Sequence, residues 1–286
     1  MHNILIADSG STKTDWCVIN GSETILRTET EGINPIVQNE ADIAAILQQV
    51  KSQSEDLDPP SRLYFYGSGI RTGMIEPMKA LLSRHLQVEP VVQSDLVGAA
   101  KALCGRNEGL ACILGTGSNS CLYDGTKIIA NTPSLGYILG DEGGGAALGK
   151  RFLNAILKRR LPANLIKDYE AEFGYSVDEI IRRIYREAMP NRFMASFSPF
   201  IHRHLDCKPL HDMVVDNFKS FFSLNLTPYE RKDLPVNAVG SMAFFYRQAL
   251  EEAAEAEGYR LGLVVKSPME GLIDYHAAGN DETNSR

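Results

Sequence analysis

Apolar positions fall in short runs through the first third of the chain, each closed by a small or polar residue, with stretches of helical spacing between them. Ile4 to Ala7 is an unbroken apolar run that ends at Asp8. Trp16 to Asn20 and Thr24 to Thr30 follow, joined by Asn20-Gly21, a dipeptide suited to a two-residue hairpin because both positions tolerate positive φ. Three consecutive antiparallel strands are the expected result. Residues 39 to 51 then repeat apolar positions at helical spacing, Arg62 to Tyr66 reads as a buried strand and Pro77 to Leu86 as a helix. A short strand over Val88 to Val92 and a helix from about Ser94 to Leu103 complete the order βββαβαβα.

The opening pattern returns further on. ACILGTGSNSCLYDGTKIIAN parallels ILIADSGSTKTDWCVINGSETIL: an apolar strand meets a glycine turn, a second strand follows, and a hairpin, here Asp124-Gly125, leads to a third. The offset at the glycine turn is about 107 residues, which indicates duplication at the scale of a domain. Two such domains facing each other would bring both glycine turns to one cleft. A first domain over 1–106 and a second over 107–286 are therefore expected. The second would carry a helical insertion over about 145–226, broken at Pro162, Pro190 and Pro199. Pro235 to Gly240 reads as a late strand, Ser241 to about Glu257 as a helix, and Tyr259 to Val265 as a further strand. A last helix over about 268–278 can pack back on the first domain, and the polar tail from Gly279 to Arg286 is expected to be disordered. No Pro-, Gly- or Ser-rich linker separates the halves, so they should pack closely and hinge.

Composition narrows the function classes. A chain of 286 residues with 44% apolar and 23% charged content has enough material for a substantial core. Its formal net charge of -7, with no basic block, argues against nucleic acid and anionic membranes as partners. No apolar run reaches membrane-spanning length, and Met1-His2-Asn3 leads straight into a strand without a signal-peptide pattern, so a cytoplasmic location is expected. Cys17, Cys104, Cys112, Cys121 and Cys207 include no C-x-x-C pair and read as reduced structural thiols. His202 and His204 read as surface or packing residues, since an i, i+2 pair on a helix points to different faces.

The candidate chemistry starts at Asp8. A carboxylate at the end of a buried strand costs several kcal/mol unless it is paired, hydrogen-bonded or facing a cation. Gly10, Ser11, Thr12 and Lys13 supply what a metal-bound phosphate needs: close backbone approach, hydroxyls, N–H groups and an ammonium. The same residues read equally as a plain hairpin turn. The second copy is uncharged through Gly115-Thr116-Gly117-Ser118-Asn119.

LIADSGSTKTD, LGTGSNS and the late AVGSM at 238–242 resemble the phosphate and adenosine motifs of the superfamily of sugar kinases, heat-shock chaperones and actin. QSDLVGAAKA, GTGSN and GYILGDEGGG, in that order, resemble the N-acetylglucosamine kinase branch and its relatives in the benzoyl-CoA reductase activase-like ATPase family. The resemblance implies an α/β fold of two duplicated ribonuclease H-like domains of the actin and hexokinase type. It implies Asp95 as catalytic base, a position an N-cap aspartate would also fill. It places Asn34, Ser68, Asp95, Ser118, Asn119, Gly136 and Asp141 at the sugar. Asn34-Pro35 also reads as a turn, and Asp141-Glu142 as the acidic start of a helix. Thr116 and Gly117, with Asp8, Gly10, Ser11, Thr12 and Lys13, would hold the phosphates, Asp8 would orient Mg²⁺, and Gly240 and Ser241 would admit adenosine. The apolar run Tyr137 to Leu139 is expected to place Asp141 at a cleft wall. One departure is Leu135, where mammalian-type members have a tryptophan beside the sugar. The cysteine spacing rules out the iron–sulfur cluster of the activases.

The implied activity is ATP- and Mg²⁺-dependent phosphorylation of a hydroxyl, the 6-hydroxyl above all, of N-acetylglucosamine or a related amino sugar, by a protein that close relatives suggest is a dimer. An ATPase switch acting on a protein partner and a non-catalytic sugar or nucleotide sensor are the rivals; retained Asp8, Lys13 and Asp95 speak against the sensor.

Overall fold

The computed structural model describes residues 3–283. Its first sheet is built from β1 (Ile4–Ser9), β2 (Lys13–Asn20), β3 (Glu23–Glu31), β4 (Arg62–Gly67) and β5 (Pro90–Ser94), with α1 (Glu40–Gln53), α2 (Ile75–Leu86) and α3 (Asp95–Cys104) between and after the last strands. The order across the sheet is β3-β2-β1-β4-β5. β1 runs antiparallel to β2 and parallel to β4. Being central, β1 buries both faces, which is why its apolar run is continuous and not alternating. Leu5 and Ala7 join Trp16, Val18, Leu63 and Phe65 in a core roofed by Ile43, Ile46 and Leu47 of α1 and Met78, Leu81 and Leu82 of α2. Ile4 and Ile6 point the other way, with Cys17, Ile19 and Tyr66.

The second sheet comprises β6 (Glu108–Leu114), β7 (Ser118–Asp124), β8 (Ile128–Ala130), β9 (Val236–Val239) and β10 (Leu261–Val265) in the order β10-β9-β6-β7-β8. Read from its other edge this is the strand order of the first sheet, so the duplication visible in the sequence is a duplication of topology. Between β8 and β9 lie α4 (Gly136–Leu139), α5 (Gly145–Leu157), α6 (Ala163–Glu172), α7 (Val177–Arg186), α8 (Pro190–Ala195), α9 (Ser198–Arg203) and α10 (Lys208–Phe221), then a π-helical turn (Phe222–Leu226) and a 3₁₀ turn (Thr227–Tyr229). Pro162 is the N-cap of α6, Pro190 opens α8 and Pro199 lies in the first turn of α9, where a missing N–H costs nothing. The prolines thus begin helices rather than merely interrupting one.

Two expectations change here. The helix expected over Ser241 to Glu257 divides at Tyr246 into α11 (Ser241–Phe245) and α12 (Arg247–Ala256). Tyr246 is buried and its hydroxyl donates to the Ser198 carbonyl at 2.5 Å, an anchor that redirects the chain between the two helices. The final helix, α13 (Met269–Thr283), runs through the first part of the tail expected to be disordered; the tail's last residues, 284–286, lie outside the described residues.

The chain divides into two compact units. One takes the residues up to 108, 123–128 and those from 267 on; the other takes Gly109–Leu122 and Ile129–Lys266. The first unit is closed by α13, whose Met269, Leu272 and Ile273 cover Ile4, Ile6, Cys17, Ile19 and Tyr66. Each such burial is worth about 1.5–3 kcal/mol. α13 approaches α3 so closely that a Cβ on Gly271 would lie 2.3 Å from the Ala102 carbonyl oxygen. Among the described residues no helix is long and apolar enough to cross a membrane.

Candidate functional site

In the first unit β1 delivers Asp8 one residue before its end, directly opposite Asp15 of β2 and Tyr66 of β4. The turn that follows is a tight hairpin in which Gly10 N–H donates to the Lys13 carbonyl at 2.9 Å. Below it the buried Ser9 hydroxyl bonds Thr14 Oγ1 at 2.7 Å and accepts from Ile33 N–H at 2.8 Å, which ties the turn to the chain leaving β3. Ser11 and Thr12 occupy the tip, with Thr12 exposed. Lys13 is the first residue of β2, and its ammonium bonds Asp15 Oδ1 at 2.9 Å and also Glu29 of β3.

Asp95 opens α3. The N-cap is Ser94, whose hydroxyl accepts from Val97 N–H at 3.4 Å, so Asp95 does not fill that position; its Oδ1 accepts from Leu96 N–H at 2.8 Å instead. Burial pushes the Asp95 carboxyl up to about 6, opposed by the Leu96 N–H. For Asp8, burial first and then the carboxylates of Asp95 and Asp15 push the value up to about 7, against the pull of Lys13. Asp8 and Asp95 are therefore close enough to feel each other's charge, and both sit where a proton or a cation is welcome.

Asn34 and Ser68 meet in the same unit. Ser68 N–H donates to the Ser9 carbonyl at 2.8 Å, and a Cβ on Gly69 would lie 2.2 Å from Asn34 Oδ1. Asn34 is indeed a turn residue: its Oδ1 accepts from Ile36 N–H at 3.0 Å. That leaves the two N–H bonds of its amide nitrogen without a partner among the described residues.

In the second unit Gly115 N–H donates to the Gly117 carbonyl at 3.0 Å, and the carbonyls of Gly115 and Thr116 accept from Gly145 and Ala146, the first residues of α5. The Asp141 carboxylate lies against the loop: a Cβ on Gly117 would meet its Oδ2 at 2.6 Å. Ser134 Oγ donates to Asp141 Oδ1 at 2.9 Å. Burial raises the Asp141 carboxyl, opposed by the Ser134 hydroxyl and the Ser118 N–H. Asp141 itself has φ 58, in the left-handed region. Asn119 is engaged locally, its Oδ1 accepting from Ser120 N–H at 2.9 Å and Asn131 Nδ2 at 3.0 Å. Gly136 opens the one-turn helix α4; of the apolar run that follows, Tyr137 is half-buried and packs against the core of the unit, whereas Ile138 and Leu139, with Leu135 at the cap, are 69%, 74% and 60% exposed. Gly240 has φ 120, and a Cβ there would lie 2.3 Å from the Leu114 carbonyl oxygen, so only glycine lets the start of α11, with exposed Ser241, pack on the end of β6.

Several contributors escape sequence reasoning. Asp15 joins the carboxylate group only through strand register. Gly32 lies on the first turn, where a Cβ would be 2.3 Å from the Gly10 carbonyl oxygen. Ser134 is one loop serine among many, set apart only by its bond to Asp141. Among the described residues no group of three or more His, Cys, Asp or Glu could hold a metal ion.

Two sheets of one strand order, each ending its first strand in a glycine turn, define a duplicated α/β protein of the actin and hexokinase type. No family model matches the chain, and no curated protein matches it. Among solved structures, a candidate N-acetylglucosamine kinase from Porphyromonas gingivalis shares 44% identity over 97% of this chain and 99% of that one, with a TM-score of 0.90. A candidate N-acetylglucosamine kinase from Chromobacterium violaceum shares 17% identity over 96% and 99% of the two chains, TM-score 0.74. A ROK family glucokinase from Streptomyces griseus, solved with glucose and AMPPNP, shares 15% over 96% and 97%, TM-score 0.58; these last two likenesses concern the fold alone. The chain belongs to the N-acetylglucosamine kinase-like family of sugar kinases represented by the Porphyromonas protein.

Proposed function

We propose that the chain transfers the γ-phosphoryl group of ATP to a hydroxyl, the 6-hydroxyl, of N-acetylglucosamine or a closely related amino sugar. The observation that carries this reading is the pair Asp8 and Asp95, two buried carboxyls raised above the usual aspartate range, Asp8 in part by the charge of Asp95, in a chain 44% identical to a candidate N-acetylglucosamine kinase.

Asp95 accepts the proton of the attacking hydroxyl. A value of about 6 suits a general base, because the group is mostly ionised at neutral pH yet more basic than an ordinary aspartate. The sugar oxygen forms a bond to the γ-phosphorus while the bond from that phosphorus to the bridging oxygen breaks, and ADP leaves with the electron pair. Asn34, Ser68, Ser118, Asn119, Gly136 and Asp141 orient the sugar. The turn Gly10 to Lys13 holds phosphate in the first unit, Thr116 and Gly117 in the second, where Gly240 and Ser241 receive adenosine. Asp8 suits Mg²⁺, directly or through water, because it is crowded by the carboxylates of Asp95 and Asp15 with Lys13 as counter-ion, a repulsion a divalent cation relieves. Bound there, the ion supplies charge neutralisation to the phosphates. A dimer belongs to the same reading, supported by Val177, Ile181 and Tyr185, an exposed apolar stripe at i, i+4 and i+8 on α7.

The test is Asp95→Asn assayed with ATP, Mg²⁺ and N-acetylglucosamine. A fall in kcat of about 10²- to 10⁴-fold with the melting temperature kept is expected. Near wild-type turnover would remove Asp95 from the mechanism, and ATP hydrolysis indifferent to a panel of hexoses and N-acetylhexosamines would favour the ATPase switch.

A further inference from the structure

The segment from Thr132 to Glu142 carries Ser134, Leu135, Gly136 and Asp141; in its middle Tyr137 packs against the core, while the aliphatic side chains of Leu135, Ile138 and Leu139 are mostly exposed. Besides Tyr137, it is held at its two feet. At one foot Thr132 Oγ1 donates to the Asn225 carbonyl at 2.8 Å, and Thr132 N–H donates to the Tyr229 hydroxyl at 2.8 Å. At the other, Asn225 Nδ2 donates to Glu142 Oε2 at 3.3 Å. Across the neck Ser134 donates to Asp141, so a single residue, Asn225, touches both sides of the loop within two residues of that bond at either end.

Asn225 can do this because of where it sits. It is the fourth residue of the π-helical turn that continues α10, in which Thr227 N–H reaches back to the Phe222 carbonyl. The wider turn adds a residue to the coil and changes the direction in which the following groups point. Asn225 is 6% exposed, and its carbonyl accepts two hydroxyls, that of Thr132 and, at 3.4 Å, that of Ser120. π-turns cost hydrogen-bond geometry and recur at functional sites, and the polar groups of this residue serve the loop and the strand beside it. The Phe221 and Phe222 rings are fully buried, which fixes the turn in place.

We infer that Asn225 is a positioning residue for the sugar acceptor: by clamping both feet of the 132–142 loop it sets the Asp141 carboxylate, held at φ 58, in the orientation that receives the sugar. This rests on the amino-sugar kinase reading, but the clamp itself can be measured without any substrate.

The experiment compares wild type, Asn225→Asp, Asn225→Ala and Asn225→Asp combined with Glu142→Gln. Asn225→Asp sets two carboxylates against each other; adding Glu142→Gln restores the bond with donor and acceptor exchanged. Without ligands, the backbone amides of 133–141 should exchange with solvent about tenfold faster in both single variants and return toward wild type in the double variant. With substrates, KM for N-acetylglucosamine should rise about tenfold in the single variants while KM for ATP stays within about twofold, and the double variant should recover. The Thr132 foot rests on the Asn225 main-chain carbonyl, which every variant keeps, so unchanged exchange in 133–141 shows that the side-chain amide holds nothing and overturns the proposed role. So does an equal rise of both KM values with a lowered melting temperature, which marks Asn225 as a stability residue. Faster, rescued exchange in a chain whose wild type phosphorylates no sugar upholds the clamp and overturns the function it was proposed to serve.

Discussion

Asp95 shows how one residue carries two demands. Placed at the first position of α3 behind the Ser94 cap, it gains a backbone N–H that favours its anion, while burial favours its acid form, and burial wins. A base acts deprotonated, so kcat/KM for the sugar is expected to rise with pH on the acid side and level off above about 6, a limb that a pH profile of wild type should show and Asp95→Asn should lose. The motif around Asp95 was legible because it is local: strand end, aspartate, apolar helix. Lys13 was less so. Its spacing alone reads as a phosphate ligand, but its ammonium already bonds Asp15 and Glu29, and the second partner is brought beside it only by the pairing of Asp15 with Glu29 across β2 and β3. Register of that kind depends on hairpin geometry that residue types do not specify.

At the scale of elements, apolar patterning and the echo of the opening segment located every strand of both sheets, with β5 displaced two residues from the expected Val88 to Val92, because these patterns are set by which faces are buried. What periodicity missed were features set by a distant partner: the break at Tyr246, the π-turn after α10, and the exposure of α4. α13 was legible as a helix, but its interior was not. There Lys101 Nζ donates to the Tyr66 hydroxyl at 3.2 Å, and Tyr66 is bonded to His276 Nε2 at 2.9 Å. Burial first, and the Lys101 charge second, push the His276 imidazole down to about 3, so it stays neutral in the folded chain. An unfolded histidine takes up a proton below about 6.5. The folded state therefore loses stability as pH falls below that value, continuing down to about 3. His276→Leu should lose less stability than wild type between pH 7 and pH 4, by roughly 3 kcal/mol, measurable by denaturant unfolding at the two pH values. Equal losses would show that the imidazole is protonated in place.

The whole molecule repeats one sheet twice and gives the copies different chemistry: carboxylates and an ammonium around the first turn, and a second turn with no charge of its own against which the Asp141 carboxylate packs. That division was visible in the sequence, since duplication leaves motifs in the same order even where their residues differ. The path of the chain was harder to read, because the first unit borrows its last helix from beyond the second. Removing Ser267–Arg286 should leave Ile4, Ile6, Cys17 and Ile19 bare, and the truncated chain is expected to be recovered mainly as aggregate, or to bind a hydrophobic dye strongly if it stays in solution. A soluble, dye-silent truncation would mean that α13 is dispensable. The closing of the first unit by α13 also bears on synthesis. The strands of the first unit cannot complete their core until α13 has left the ribosome, so while the second unit is being made the nascent chain displays an open apolar face. Chaperones that grip such faces have that whole interval in which to bind, and a chain cut short by a premature stop advertises its own incompleteness to the proteases that clear it.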